Sequence, residues 1–510
     1  MRLASTLSVA LTGLVGTVVN VEAHLAPGLP AFTISGLPDA ACAQSPNRVR
    51  AAAIVAEHPI KNDRITVNLS PSSIPKRGSG FDLPIACALL AAQGIIGRAD
   101  TARVVHLGEL GLDGTIREVP GVLPAVLAAA RAGVEHVVVP RGNVREASLV
   151  DGVSVHTFAT LKELIAAYRR LPVEAFPCAG GHEPVTTRGH GDLADVVGQE
   201  TARLALEITA AGGHHLMLVG PPGAGKTMLA ERLVTLLPPL TRDEALGVMS
   251  VRSVLGEITG EESLDLTPPF VAPHHSASMA SIIGGGGGSG VRPGAVSRAD
   301  RGVLFLDEAP EFKKDVLQCL RQPLESGQVV VSRVRESVTF PAQFQLVLAA
   351  NPCPCGMAFG KGLECRCQPR EVRSYLNRIG GPLTDRVDLQ IQVAPVSLAN
   401  LNGEPGETSA VVAGRVALAR ERQRVRWSPA GFTLNARVPG RVLRRGRFAL
   451  AGNQLVDLHR ALDRGWLTLR GFDRCLRLAW TLADLRGADS PTRQDIGVAL
   501  GLRGQGRAAA

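Results

Sequence analysis

Residues 220–227 read GPPGAGKT, which fits the phosphate-binding pattern G-x-x-x-x-G-K-[ST] at every fixed position. Gly220, Gly223 and Gly225 let the backbone bend so that its N–H groups face phosphate oxygens, with Pro221, Pro222 and Ala224 completing the loop. Lys226 is placed to reach the β- and γ-phosphates, and the Thr227 hydroxyl to ligate Mg²⁺. The flanks agree. The apolar run Leu216-Met217-Leu218-Val219 enters as a buried strand, and Leu229, Leu233, Leu236 and Leu237 recur at helical spacing until Pro238-Pro239 stop the helix. The bland alternative is a glycine turn with a surface lysine, but strand, loop and helix seldom follow in this order by accident. The chain is expected to bind a nucleoside triphosphate.

Downstream, residues 303–308 read VLFLDE, four apolar residues ending in two acids. Asp307 is expected to hold Mg²⁺, directly or through water, and Glu308 to orient and polarise the hydrolytic water. Residues 344–350 (FQLVLAA) form another buried-strand candidate that runs into Asn351, whose amide can hydrogen-bond the γ-phosphate or the water. In GPLTDRVDLQ (381–390), Arg386 sits between acids after a short loop. An arginine that completes a neighbour's site stabilises charge on the transferred phosphoryl group, an effect of roughly 10³–10⁵ in rate. Alone, Arg386 reads as a surface ion-pair partner. The order of loop, acids, asparagine and arginine instead points to a ring-shaped motor.

Several longer stretches carry a family resemblance. APHHSAS (272–278), RPGAVSRADRGVLFLDE (292–308), LESGQVVVSRVRESVTFPAQFQLVLAANPCPCG (324–356) and GPLTDRVDLQ resemble the magnesium-chelatase-like branch of AAA+ ATPases. AFTISGLPDA (31–40), RITVNLSPSSIPKRGSGFDLPIA (64–86) and HLGELGLDGTIREVPGVLPAVLAA (106–129) extend the similarity to the ComM/YifB family, from residue 3 to about 503. The resemblance implies a hexameric, Mg²⁺-dependent ATPase, a helicase that drives branch migration of DNA in recombination and natural transformation. It also implies an α/β multidomain fold. Residues 1–171 would be a Lon-protease-like (ribosomal S5 domain 2-like) α/β domain and 172–192 a linker. An AAA+ P-loop core would occupy 193–396 and a C-terminal helical lid 397–505. In the lid, LTLRGFDRCLRLAWTLADL resembles the sensor 2 region, with Arg470 in place to touch the γ-phosphate and Arg474 and Arg477 on adjacent turns. Proteolysis would need a serine activated by a lysine. Here Gly80 stands where the serine would be, Ser79 one position off, and Leu123 where the lysine would be; Lys76 lies near Ser79 in sequence, but a dyad is not expected. The first domain is therefore expected to be a platform for DNA or for ring assembly.

Bulk properties bound the partner. The chain has 510 residues, a formal net charge of +9 and a pI near 9.4, which favours a polyanion. Arginines crowd the last third, Arg415, Arg420, Arg422, Arg424 and Arg426 among them. These read equally as a polyanion surface or as a solvated helix face. With aromatic residues at 4%, base stacking is disfavoured, so contact with DNA should fall on phosphates and ignore sequence.

Other segments raise local questions. Residues 1–23 have the charged start and apolar centre of a signal peptide, yet Ser5, Thr6, Ser8 and Thr12 and the alternation of VVNVEAHL favour two folded strands. No other stretch suggests a membrane span, and a cytoplasmic location is expected. Glycines 284–288 suggest a mobile loop, and the resemblance turns it toward a central pore. His274 and His275 are adjacent, and side chains at i and i+1 diverge on a helix or strand, which argues against a shared metal. Residues 329–340 read as a hairpin turning near Arg335-Glu336, with Arg333 and Arg335 as candidate DNA contacts. Ser409 to Arg426 carries helical spacing, and Ser490-Pro491 reads as the start of the last helix. Cys353, Cys355, Cys365 and Cys367 form CPC, a nine-residue loop with three glycines, and CRC. Four thiolates there suit structural Zn²⁺, although one intervening residue per pair is fewer than usual; free thiols and a redox switch are the alternatives. Two other functional classes remain: a magnesium-chelatase-type motor remodelling a protein partner, and an ATP-dependent protease.

Overall fold

The computed structural model describes residues 2–172, 189–258, 263–287, 290–333, 336–360, 362–395 and 406–504. The N-terminal run that could pass for a signal peptide forms two strands, Leu3–Thr12 and Val15–Ala26, paired antiparallel from Leu3↔His24 to Thr12↔Val15. Alternation puts Val19, Val21, Ala23 and Leu25 inward, all nearly inaccessible to solvent. These strands sit in the middle of a seven-stranded mixed sheet. Its order is Ala31–Ser35, Arg64–Ser70, Val15–Ala26, Leu3–Thr12, Val104–His106, His136–Pro140 and Ser154–Phe158. The helix Asp82–Ala92 lies against this sheet and is buried at every position, apolar throughout except Asp82, whose carboxylate accepts from Arg48.

The second sheet is all parallel, ordered Phe270–Val271, Val303–Leu306, Gln345–Ala350, Leu216–Val219 and Leu389–Gln392. Its central strands are apolar without alternation because both faces are covered. The C-terminal helices Ser409–Trp427 and Leu469–Arg486 close one face: Val412, Val416, Trp427 and Trp480 share a single apolar cluster with Leu206, Leu229 and Leu233. The arginine-dense helix is anchored to this structure. Arg415 bridges Glu207 and Glu407, Arg420 donates twice to the Ala210 carbonyl, Arg422 donates to that of Asp484, and Arg426 pairs with Asp484. For these four residues neither a polyanion surface nor a solvated helix face describes the arginines, whose guanidiniums are bonded to other elements of the fold.

The first domain docks on the second through the helix Arg242–Leu255. Leu246 and Met249 join Val9, Leu123 and Val126 in one apolar cluster, where a buried side chain of this size contributes about 1.5–3 kcal/mol. Beside it, the Glu146 carboxylate accepts from Leu123 N (3.2 Å), Ser253 Oγ (2.6 Å) and Asn143 Nδ2 (2.6 Å). Arg242 ties Asp151 and the Leu149 carbonyl at the rim.

Two local expectations need correction, and the hairpin expected over 329–340 is present. The glycine run is a strand, Gly284–Gly287, paired antiparallel with Gly290–Pro293; cross-strand backbone bonds order it without side chains. The next hairpin, Gln328–Arg333 with Glu336–Pro341, pairs Arg333 with Glu336, and Arg335 lies outside the described residues. The last helix is Arg493–Gly504, and its cap is Thr492 rather than Ser490: Thr492 Oγ1 accepts from Asp495 N while Asp495 accepts from Thr492 N.

Candidate active site

Register brings the reacting groups together. Val219 pairs with Ala350 and Leu306 with Leu348, so Gly220, Asp307 and Asn351 leave three neighbouring strands at their carboxyl ends. This is where open parallel sheets place their ligands. The Gly220 amide donates to the Ala350 carbonyl (3.1 Å), and a Cβ at Gly220 would lie 2.4 Å from the Val393 carbonyl oxygen, so only glycine fits. Gly223 and Gly225 adopt φ of 76° and 82°, the left-handed backbone that turns the loop into the helix Lys226–Leu236.

Lys226 Nζ donates to the carbonyls of Gly220 (2.7 Å) and Pro221 (2.9 Å) and to Asn351 Oδ1 (3.1 Å). The lysine and the asparagine assigned to the γ-phosphate thus already meet. Burial pulls the Lys226 ammonium below the ordinary lysine range, while Asp307 and Glu308 act in the opposite direction. Thr227 Oγ1 donates to Asp307 Oδ2 at 2.9 Å, so the two expected Mg²⁺ ligands share one corner. Their hard oxygens suit that ion, which would draw charge from the phosphates. Glycine loop, lysine and oxygen pair together fit a nucleoside triphosphate with Mg²⁺.

Glu308 stands in left-handed backbone (φ 49°), a conformation costing a non-glycine residue about 1–2 kcal/mol. Its Oε2 meets His275 Nδ1 at 3.3 Å. The pair is exposed, so it stabilises the fold by at most about 1 kcal/mol and serves instead to orient the carboxylate. Sequence spacing does not reveal this partner. His275 lies in a turn after Phe270–Val271, the strand that pairs with Val303–Leu306, and that pairing carries it to Glu308. In this turn the His274 and His275 rings lie 4.0 Å apart, so they do not diverge as they would on a helix or strand.

The cysteine loop adjoins the same site. Cys353 follows Asn351 by two residues, and a Cβ at Gly356 would lie 2.6 Å from Cδ of Pro222 in the phosphate loop. The four sulfurs of Cys353, Cys355, Cys365 and Cys367 all lie within 4.8 Å of one another, with separations of 3.3, 3.7 and 3.8 Å among the first three. Tetrahedral Zn–S bonds of about 2.3 Å set sulfurs about 3.8 Å apart, which fits this set. Backbone N–H groups of Met357 and Arg366 pull the Cys355 thiol down to about 6.

Arg386 lies elsewhere. It borders a cleft of about 930 Å³ at the amino ends of the strands, where His215, Gly302, Phe344 and Asp388 precede or start them. Lys226 is across the sheet, beyond a strand of four residues, or roughly 13 Å of rise. Arg386 donates to Glu325 and to the Pro382 carbonyl (2.7 Å); its Nε has no hydrogen-bond partner among the described residues. Arg470, Arg474 and Arg477 line the same cleft, so Arg470 does not share a site with the Lys226 of its own chain. Arg474 pairs with the buried Asp388; burial alone would raise that carboxyl, but Arg474 and His214 hold it well below the usual range. Eight arginines against five acids leave the cleft cationic.

Fold and site define a magnesium-chelatase-like P-loop ATPase of the AAA+ type. The family description "Magnesium chelatase, subunit ChlI" matches residues 192–401, "Subunit ChlI of Mg-chelatase" matches 21–143, and its C-terminal counterpart matches 406–503. The chain is 48% identical to Rv2897c of Mycobacterium tuberculosis over 506 residues, covering 99% of each chain. It is 39% identical to competence protein ComM of Haemophilus influenzae over 508 residues (99% of this chain, 98% of ComM). Identity to YifB of Escherichia coli K12 is also 39%, over 495 residues (95% and 94%). The chain belongs to the ComM/YifB family.

The acid pair can be separated by substitution. Glu308→Gln is expected to keep ATP binding and lose about 10²-fold or more in turnover, since a carboxamide is a poor base. Asp307→Asn should also weaken Mg²⁺-dependent nucleotide binding. Isothermal titration and steady-state ATPase assays read both; normal turnover by Glu308→Gln would overturn the assignment of the two acids.

Proposed function

We propose that this ATPase works as a ring, hexameric as in the family it resembles, and uses ATP and Mg²⁺ to move branched DNA during recombination and uptake of transforming DNA in the cytoplasm. The observation that carries the ring is the split of machinery between two ends of one sheet. Lys226, Asp307, Glu308 and Asn351 stand at the carboxyl ends, and Arg386 with the other cleft arginines at the amino ends. One chain cannot close its own site in this arrangement, whereas a neighbour presenting its cleft can. There Arg386 would stabilise charge developing on the transferred phosphoryl group, and Arg470 would face the neighbour's nucleotide rather than its own.

DNA as the substrate is supported by the charge of +9, the scarcity of aromatics, and full-length similarity to a protein named for competence. A chelatase-type motor on a protein partner would use the same core. Full-length similarity to ComM favours DNA over that reading. A protease is disfavoured by geometry as well as sequence: Ser79 Oγ donates to Glu109, while Lys76 Nζ is buried and donates to the Pro71 carbonyl. The first domain, Lon-like by resemblance, then serves as a platform.

A labelled four-way junction should be converted to its branch-migration products by the wild type with ATP and Mg²⁺, and not by Lys226→Ala. Junctions left intact by a wild type that hydrolyses ATP would place the chelatase-like reading first. The cysteine set is proposed to hold one structural Zn²⁺ that braces the loop between Asn351 and Pro222; four protein ligands leave that ion no open position for chemistry. Mass spectrometry of protein purified without chelator should find about one zinc per chain, lost in Cys353→Ser with Cys365→Ser. A metal-free wild type with four titratable thiols would contradict it.

A further inference from the structure

Each acid that lines the cationic cleft is matched with an arginine: Glu244 with Arg301, Asp388 with Arg474, Glu421 with Arg424, Asp473 with Arg444 and Glu325 with Arg386. Two of these pairs involve a nearly buried guanidinium, and they differ in their acid. Arg474 is 11% exposed and Asp388 only 1%, and Asp388 also accepts from His215 N at 3.0 Å. That pair is fixed. Arg386 is 7% exposed, whereas Glu325, on the short helix Arg321–Ser326, is 58% exposed.

The asymmetry sets what the second pair can do. A well-solvated carboxylate gives up little when it swings back into water. A buried guanidinium left without an anion is costly, so Arg386 can part from Glu325 only when another anion takes its place. Glu325 also satisfies the arginine incompletely. It meets Nη2, Nη1 donates to the Pro382 carbonyl, and Nε is buried with no hydrogen-bond partner among the described residues. Once Glu325 moves aside, a phosphoryl group has oxygens enough for both Nη2 and Nε.

Glu325 stands at the root of the hairpin formed by Gln328–Arg333 and Glu336–Pro341, with only Ser326 and Gly327 between. These two residues are stitched to both strands. Ser326 Oγ donates to the Gln328 carbonyl (2.8 Å) and accepts from its N–H (3.2 Å), while the Gly327 carbonyl accepts from Ala342 N (2.9 Å). We infer that Glu325 is a stand-in anion: it holds Arg386 until the γ-phosphate of the neighbour's ATP displaces it, and the exchange is felt at the root of this subunit's hairpin. Glu325 is thus a positioning residue that acts through Arg386. The inference rests on the ring reading and deepens it, by giving the neighbour's nucleotide a route to this hairpin.

The test is binding of ATP with Mg²⁺, by isothermal titration, to full-length rings carrying Glu308→Gln, with assembly checked by native mass spectrometry. Adding Glu325→Gln should tighten binding about fivefold or more, because an amide no longer competes as an anion. Glu325→Ala should tighten it at least as much. With Arg386→Ala also present, the gain should vanish. Tightening that survives Arg386→Ala, or binding left unchanged or weakened by Glu325→Gln, would overturn the exchange. Hydrogen exchange of residues 321–333 should change when ATP is added to Glu308→Gln rings, and should not when Arg386→Ala is present as well. An unchanged pattern in the first case would remove the route to the hairpin. If Arg386→Ala alone alters neither ATP binding nor turnover, the ring reading itself fails, an outcome distinct from the others.

Discussion

Backbone pairing of Gln345–Ala350 with the strands on either side decides where every reacting group arrives. On one side it carries Leu216–Val219 and the phosphate loop, on the other Val303–Leu306 and the acid pair. Parallel direction puts all their carboxyl ends together, and their amino ends together on the opposite edge. That edge holds Arg386, Arg470 and Arg474. A one-residue slip in either pairing would reverse which face each side chain takes and scatter Lys226, Asn351 and Asp307. The same constraint that gathers Lys226, Asp307 and Asn351 keeps the cleft arginines out of their reach.

From that site a continuous path leads outward. His275 touches Glu308, and four residues later the short helix Met279–Ile283 runs directly into the glycine hairpin. Arg333, on the neighbouring hairpin, donates to the Gly286 carbonyl there. Whatever moves the hairpin has a short physical route to the residue assigned to the water. The apolar seam around Met249 and the buried Glu146 bind the first domain to the same core, so force on one is felt by the other.

Much of this was legible in the sequence, for a chemical reason. Phosphate and Mg²⁺ demand residue types at fixed spacing, so GPPGAGKT, Asp307, Glu308 and Asn351 could be named from spacing alone, and the structure brings Lys226 to Asn351 and Thr227 to Asp307. His275 and Glu325 were not legible, because their partners are set by strand order and by a turn that spacing does not encode. The glycine run was misread because composition reports conformational freedom, whereas cross-strand hydrogen bonds decide order. The arginines from 415 to 426 were ambiguous for a related reason: the acid that claims Arg415, Glu207, is 208 positions away. Arg470 could be placed on a helix but not on an edge of the sheet.

The central claim is that each site is completed by the neighbouring subunit, and complementation in mixed rings tests it most directly. Arg386→Ala and Lys226→Ala subunits, each nearly inactive alone, are mixed with ATP and Mg²⁺, and mixed assembly is verified by native mass spectrometry. The account predicts partial recovery of ATPase activity, because some interfaces then pair an intact Lys226 with an intact Arg386. No recovery in verified mixed rings would contradict it.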